Sequence, residues 1–375
     1  MDRFIAVDSG KFATKVAEYL VKDKKVRTFQ IRTKISDGYF IDDAIEKNTV
    51  VVEIDGHVYK VGNGARGEGA NLDTDKNDDI HRICTLTALA SVASDNEKDV
   101  FHVAVGLPAK DWAIPTKREE YKKAMLPEGD ITITIRPNSK KKPVTKTFTI
   151  KSRFALAESI GALFMDGVIE DVTSNPSIPT GVIDIGNLNL NATFWQGTEL
   201  VYDKSSTQEL GGAILIQELA QELSANVDYV DEIIAANILK ADPAERHLPD
   251  GLGLTEEEVQ LSAEVTKKIL RNHAEKIRRS CKQRNWSLKA TRIVAIGGTS
   301  ADIEDELKEV FGNITVLPNS NFCNALGYLR IMCSKLDEIN DIIELPSLND
   351  DGKEKEGADQ TIKEQPGSHA TAKAS

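Results

Sequence analysis

Cysteine is scarce: only Cys84, Cys281, Cys323 and Cys333 occur in 375 residues, and no two form a CxxC pair. That argues against zinc-ribbon and thioredoxin-type chemistry and leaves reduced thiols in a cytoplasmic protein as the expectation. The six histidines, His57, His81, His102, His247, His273 and His369, show no metal-ligand spacing. No apolar run approaches membrane-spanning length, and the N-terminus has no hydrophobic signal region, so no membrane contact is expected. Positive charge is in deficit. The net charge of -12 argues against a grip on nucleic acid through the whole surface. Neither GxxxxGK[ST] nor a strand–GxGxxG–helix is present, so neither P-loop nor Rossmann binding is indicated.

What is present is a soluble globular composition, 40% hydrophobic and 28% charged, in a chain too long for one ordinary core. Two domains are therefore expected. Strands are predicted at Phe4–Val7, Thr14–Tyr19, Val26–Arg32, Val50–Ile54, Val100–Pro108 and Ile131–Ile135. Helices are predicted from near Asp78, over Asp111–Met125, from about Arg153 and over Glu256–Cys281. In the third of these, Leu156, Ile160, Leu163 and Gly167 fall at helical spacing. The turn-rich segment Val172–Gly181 reads as the boundary between two halves. Arg136–Lys146 is a basic stretch that suits a solvated loop better than a DNA contact. Trp112, Trp195 and Trp286 read as packing residues. Beyond Leu348 the only large aliphatic residue is Ile362, so the C-terminus is expected to be disordered.

Both halves open alike. Phe4–Val7 leads into Asp8, Ser9, Gly10 and Lys11 and then a second strand. Gly181–Ile183 leads into Asp184, Ile185, Gly186 and Asn187 and then another. One Asp-x-Gly turn is ordinary, since Asp bonds its own turn. Two in equivalent places, with Gly-Gly helix starts at Gly211–Gly212 and Gly297–Gly298, suggest a pair of hairpins whose backbone N–H groups clamp a polyphosphate. Aspartates aimed at phosphate need a hard cation between them, and Mg²⁺ takes only one or two carboxylates.

These motifs, in this order, resemble the actin-like ATPase superfamily. "AVDSGKFATKV" matches its first phosphate motif and "ALAESIGALF" its first connecting motif. "VIDIGNLNLNATF" matches the second phosphate motif, "VAIGGTSADI" the nucleoside motif and "NFCNALGYL" the second connecting motif. "VGLPAKDW" and "KVGNGARG" are similar to segments of the plasmid-segregating bacterial actins, ParM and its relatives. The resemblance runs over about residues 1–336.

It implies an α/β actin-like fold, two related ribonuclease H-like domains around a nucleotide cleft. Domain I would span 1–171, with a subdomain IB at about 30–98, and domain II 172–320. A C-terminal helix in 321–344 would return to domain I, and 345–375 would be the tail. Asp8, Glu158 and Asp184 would be catalytic. Asp8 and Asp184 would hold Mg²⁺ through water, and Glu158 would orient the attacking water. Ser9, Gly10, Lys11, Gly186 and Asn187 would meet phosphates. Glu209, Gly211, Gly212, Gly297, Gly298 and Thr299 would frame ribose and base. Asn187, Asn189 and Asn191 stand where many relatives carry small residues.

The implied activity is Mg²⁺-dependent hydrolysis of ATP or GTP coupled to a self-assembling filament. A ParR-like adaptor would bind the plasmid centromere DNA. A small-molecule kinase of the same superfamily and a non-hydrolysing scaffold are the competing expectations. The kinase would need an acceptor pocket and a base aimed at a hydroxyl.

Overall fold

The run Phe4–Val7 is apolar at every position because its strand, β1 (Asp2–Ser9), is covered on both faces. Ile5 and Val7 join one core, Phe4 and Ala6 another, as the two-residue period of a strand requires. The computed structural model describes residues 2–336 except 39–45, 68, 72–74, 96, 137–141, 226–229 and 250–253. The expected tail at 345–375 and the middle of the basic stretch lie outside the described residues. β1 belongs to a nine-stranded sheet. Its companions are β2 (Ala13–Leu20), β3 (Lys25–Arg32), β4 (Ile35–Asp37), β5 (Thr49–Ile54), β6 (His57–Gly62), β7 (Asp99–Leu107), β8 (Asp130–Ile135) and β9 (Val144–Ala157). The order is β3-β2-β1-β7-β9-β8-β5-β6-β4.

A second sheet repeats the first part of that plan. β10 (Thr180–Ile185), β11 (Leu190–Gln196), β12 (Glu199–Leu200), β14 (Arg292–Ile296) and β15 (Ile314–Val316) run in the order β12-β11-β10-β14-β15, with β13 (Ser206–Gln208) also paired to β11. In each sheet an antiparallel hairpin, β1–β2 or β10–β11, is followed by parallel neighbours, β7 and β9 or β14 and β15. The two sheets part between Ala157 and Thr180. The repeat gives Asp184 the place of Asp8. Directly across each hairpin stand Lys15 opposite Asp8 and Asn191 opposite Asp184.

Helices α1 (Asp79–Val92), α2 (Ala109–Trp112) and α3 (Pro115–Met125) follow in the first half, and α1 and α3 pack on the outer face of its sheet. Between the sheets lie the 3-10 turn Ile160–Phe164, α4 (Val168–Ser174) and the last described helix. On the outer face of the second sheet pack α5 (Gly212–Ser224), α6 (Glu232–Lys240), α7 (Glu256–Gln283) and α9 (Glu304–Phe311), with α8 (Gly298–Asp302) following β14. α7 starts in a capping box, Thr255 with Glu258, with three glutamates in its first turn against the positive end of the helix dipole. Of the stripe Val265, Ile269, His273, Ile277 and Cys281, which the sequence places on one face, the last four are buried and Val265 is half-buried. α10 (Cys323–Lys335) closes the described chain against β1 and the 3-10 turn.

Three local expectations need correcting. No helix starts at Arg153. β9 continues to Ala157, because Phe148–Ala157 forms a parallel ladder with β7 that a helix would forgo. Leu156, Ile160 and Leu163 are buried, but on a strand end and a 3-10 turn, and Gly167 is exposed. Asp111–Met125 is two helices, since Pro115 starts α3 at its first turn. The stretch "ELVYD", Glu199–Asp203, which by its composition reads as a third strand of the second half, is a strand for only two residues and gives way to a 3-10 turn at Tyr202–Lys204.

Candidate functional site

Strand arithmetic aims the two aspartates at each other's sheet. Asp8 shares a face with Phe4 and Ala6, and Asp184 shares one with Val182, and all three apolar residues belong to the core between the sheets. Asp8 is 5% exposed, Asp184 8% and Glu158 7%. Lys15 Nζ lies 3.8 Å from Asp8 Oδ2.

The first turn is tight. The Gly10 N–H donates to the Asp8 carbonyl at 2.9 Å, and a Cβ on Gly10 would sit 2.8 Å from the Ala13 carbonyl oxygen. Thr33 Oγ1 donates to the Gly10 carbonyl at 2.6 Å. The Ser9 hydroxyl lies 3.1 Å from His81 Nδ1 in the first turn of α1. Burial, helped by Lys76 and Lys11, pushes His81 down to about 3, so the ring is neutral at neutral pH. Lys11 follows, half-buried.

Glu158 reaches the site because β9 ends one residue before it and Ser159 adopts φ 72°, reversing the chain into the 3-10 turn. Its N–H still donates to the Leu107 carbonyl at 2.8 Å. Both carboxylate oxygens are engaged. Lys76 Nζ is 2.8 Å from Oε1, and Asn191 Nδ2 donates to Oε2 at 3.1 Å. Lys76 Nζ also donates to the Ser9 carbonyl. On the other side Asn324 Nδ2 donates to Asp184 Oδ2 at 2.9 Å, while Asn324 Oδ1 accepts from the Ser159 N–H at 3.1 Å. The bonding is crosswise. A carboxamide of the second sheet holds the first half's glutamate, and a carboxamide of α10, which packs on the first sheet, holds the second half's aspartate.

The second turn is braced from behind. The Gly186 N–H donates to the Asn189 carbonyl at 2.9 Å. The Gly212 and Ala213 N–H groups donate to the Gly186 and Asn187 carbonyls at 2.9 and 2.7 Å. Thr299 Oγ1 donates to the Gly186 carbonyl at 3.2 Å. A Cβ on Gly211 would lie 2.5 Å from the Asn187 carbonyl oxygen, and one on Gly212 would lie 2.5 Å from Thr299 Oγ1. The Gly211–Gly212 step is thus spent on packing against the turn rather than left bare for a ring to lie on. Gly297, at φ 93°, passes so close that a Cβ would fall 2.4 Å from the Ile185 carbonyl oxygen and 2.8 Å from Asp184 Oδ1. Gly298 faces open space, and Glu209 is exposed. The structure brings Gly186, Asn187, Gly211, Gly212, Gly297 and Thr299 together and leaves Glu209 and Gly298 at the rim.

Asp8, Glu158 and Asp184 are buried near Lys15 and Lys76, with Lys11 in the adjoining turn. Burial pushes the Asp184 carboxyl up to about 6, with Asp8 and Glu158 adding to the rise against the pull of Lys15 and the Asn324 bond. Burial works against the Lys76 ammonium, but Glu158, Asp8 and Asp184 outweigh it, and its pKa is raised. Buried carboxylate oxygens are ligands of the kind a hard cation takes, and Asp8 and Asp184 are the residues that would hold one, Mg²⁺ keeping most of its own waters. Among the described residues no three His, Cys, Asp or Glu side chains gather closely enough to cage a metal ion.

Lys15, Lys76, His81 and Asn324 are site residues that the motifs do not single out, and Asn191 serves the opposite half's glutamate rather than a phosphate turn. Asn324 lies inside the second connecting motif, and Lys15 inside the first phosphate motif. The four cysteines are free and buried. Among the described residues no helix is long and apolar enough to cross a membrane.

No curated protein matches the chain by sequence. Residues 6–161 match the family described as actin like proteins N terminal domain. The fold is similar to the Alp12 filament structure, at 21% identity and a TM-score of 0.65, over 89% of this chain and 99% of that one. It is similar to Ta0583, an archaeal actin homologue, at 16% and 0.71, over 89% and 100%. It is also similar to a 15-stranded ParM filament from Clostridium botulinum, at 17% and 0.65, over 89% and 100%. The chain therefore has the actin-like fold, and its residues 6–161 resemble the actin-like N-terminal domain family.

Proposed function

We propose that the chain is a nucleotide-hydrolysing, filament-forming protein that segregates plasmid DNA, assembling with ATP or GTP and disassembling after hydrolysis. The observation that carries this reading is the convergence of buried Asp8, Glu158 and Asp184 between two glycine turns. Solved structures of similar fold are described as filaments, and Ta0583 is described in complex with ADP.

In this reading the Ser9–Lys11 and Gly186–Asn187 turns hold the phosphates. Asp8 and Asp184 hold Mg²⁺ through its waters, and the ion neutralises phosphate charge. Glu158 orients the attacking water, and Asn191 fixes the direction of its carboxylate. Phosphoryl transfer needs positioning and charge neutralisation more than covalent help, and that is what such a site supplies. Glu209 and the Gly297–Thr299 step frame the nucleoside. With a net charge of -12, the chain reaches centromere DNA through a ParR-like adaptor rather than directly.

Right-angle light scattering after Mg·ATP or Mg·GTP is added, with phosphate release followed in parallel, tests this. Scattering should rise and then decay as phosphate appears. Glu158→Gln should slow phosphate release by about 100-fold or more and prolong the scattering plateau. Flat scattering, with turnover only when a sugar or acid acceptor is supplied, would replace the filament with a kinase.

A further inference from the structure

Lys76 has no task in the hydrolytic mechanism, yet it sits at the centre of the site. It is 8% exposed, and lysine is almost never this buried unless paired. Its ammonium holds Glu158 Oε1 and the Ser9 carbonyl together. The segment around it is pinned: the Asn77 N–H donates to Asp75 Oδ1, and the Asp75 N–H to Asp78 Oδ2. Five residues on, His81 meets the hydroxyl of the same Ser9. The entry to α1 therefore touches the first turn twice.

With Lys76 on one oxygen and Asn191 on the other, each Glu158 oxygen has one acceptor site committed, and the ammonium neutralises the carboxylate's charge. A carboxylate paired in this way is a weaker acceptor for a water molecule than one released from the cation. A terminal phosphate beside the Ser9–Lys11 turn would offer the ammonium three anionic oxygens in place of one.

Resting on the nucleotide-binding reading, we propose that Lys76 is a latch on Glu158, which the terminal phosphate of a nucleoside triphosphate draws open. With the cleft empty, or holding a diphosphate too short to reach it, the ammonium stays on Glu158. With a triphosphate it moves to the phosphate and frees one glutamate oxygen to orient water. Lys76 is a positioning residue: it acts through Glu158, and it makes the site count phosphates.

The test is calorimetric titration of the full chain with Mg²⁺ and the β,γ-imido analogues of ATP and GTP, against ADP and GDP. Lys76→Met should lower triphosphate affinity about tenfold or more relative to diphosphate affinity, and Lys76→Arg should keep part of the preference. Glu158→Gln should do the reverse and tighten triphosphate binding, because no ion pair then has to be broken. That gain should vanish when Lys76→Met is also present. A merely structural lysine would not give opposite signs that depend on each other.

An unchanged triphosphate-to-diphosphate ratio in Lys76→Met, or a Glu158→Gln gain that persists without Lys76, overturns the latch alone. A wild-type chain that binds neither nucleotide overturns the functional reading, and the latch with it. If Lys76→Met fails to fold, Glu158→Gln decides on its own: an unchanged ratio there overturns the latch.

Discussion

At about pH 8 the Asp184→Asn chain, free of nucleotide, will melt several degrees above the wild type while hydrolysing nucleotide at least about 100-fold more slowly. The gain follows from burial. The Asp184 carboxyl stands at about 6 in the folded chain against 3.8 ordinarily. The folded chain therefore binds that proton more tightly than the unfolded one. Its contribution to stability is fullest below about pH 4, falls as the pH rises through about 6, and is flat above that. The difference corresponds to about 3 kcal/mol at most. Asparagine offers a neutral acceptor to Asn324 Nδ2 and carries no buried charge. The melting advantage should therefore be present at pH 7–8 and fade toward about pH 4, where Asp184 is itself protonated. Scanning calorimetry across that range checks it. An Asp184→Asn chain less stable than wild type at pH 8 would mean that the carboxylate is better paired than its surroundings indicate. The stability is given up for a buried charge that Lys15 and Asn324 relieve only in part, a common cost of active sites.

Gly327→Ala will destabilise the chain by about 3 kcal/mol, enough to lower the melting temperature by roughly 4 °C. A Cβ there would lie 2.1 Å from the Gly161 carbonyl oxygen and 2.3 Å from its Cα. Both are backbone atoms and cannot swing aside, so α10 must move off the 3-10 turn. One helical turn earlier, α10 carries Asn324, whose carboxamide joins the Ser159 N–H to Asp184. Nucleotide affinity should fall together with stability, which separates this substitution from core damage elsewhere. Thermal melts paired with nucleotide titration read both. A Gly327→Ala chain as stable as wild type would show that the two backbones do not meet so closely.

Much of this is legible in the sequence because it is local. The hairpins around Asp8 and Asp184 announce themselves by apolar runs broken at Asp-x-Gly, and α7 announces itself by apolar residues at helical spacing over Glu256–Cys281. Glu158 is legible as a residue but not in its setting. The stretch Arg153–Leu163 carries apolar residues at spacings that suit a helix, and only the ladder with β7, which starts some fifty residues earlier in the chain, decides for a strand. Lys76 is not legible at all. It lies in "NLDTDKNDD", which has no period, and its meaning comes from Glu158, far along the chain. Asn324 is separated from Asp184 by 140 residues. Asn191 reads as a turn residue because it follows Asp184 closely, whereas its carboxamide reaches to the opposite half.

The crosswise carboxamides also set a clock. Parting the two halves breaks the Asn191–Glu158 and Asn324–Asp184 bonds, each to a carboxylate and together worth about 3–6 kcal/mol. The apolar core shared by the two halves adds to that cost. In the nucleotide-binding reading, exchange through a cleft that opens would therefore slow with every contact between the halves, and Asn191 and Asn324 are two such contacts that need not touch the nucleotide.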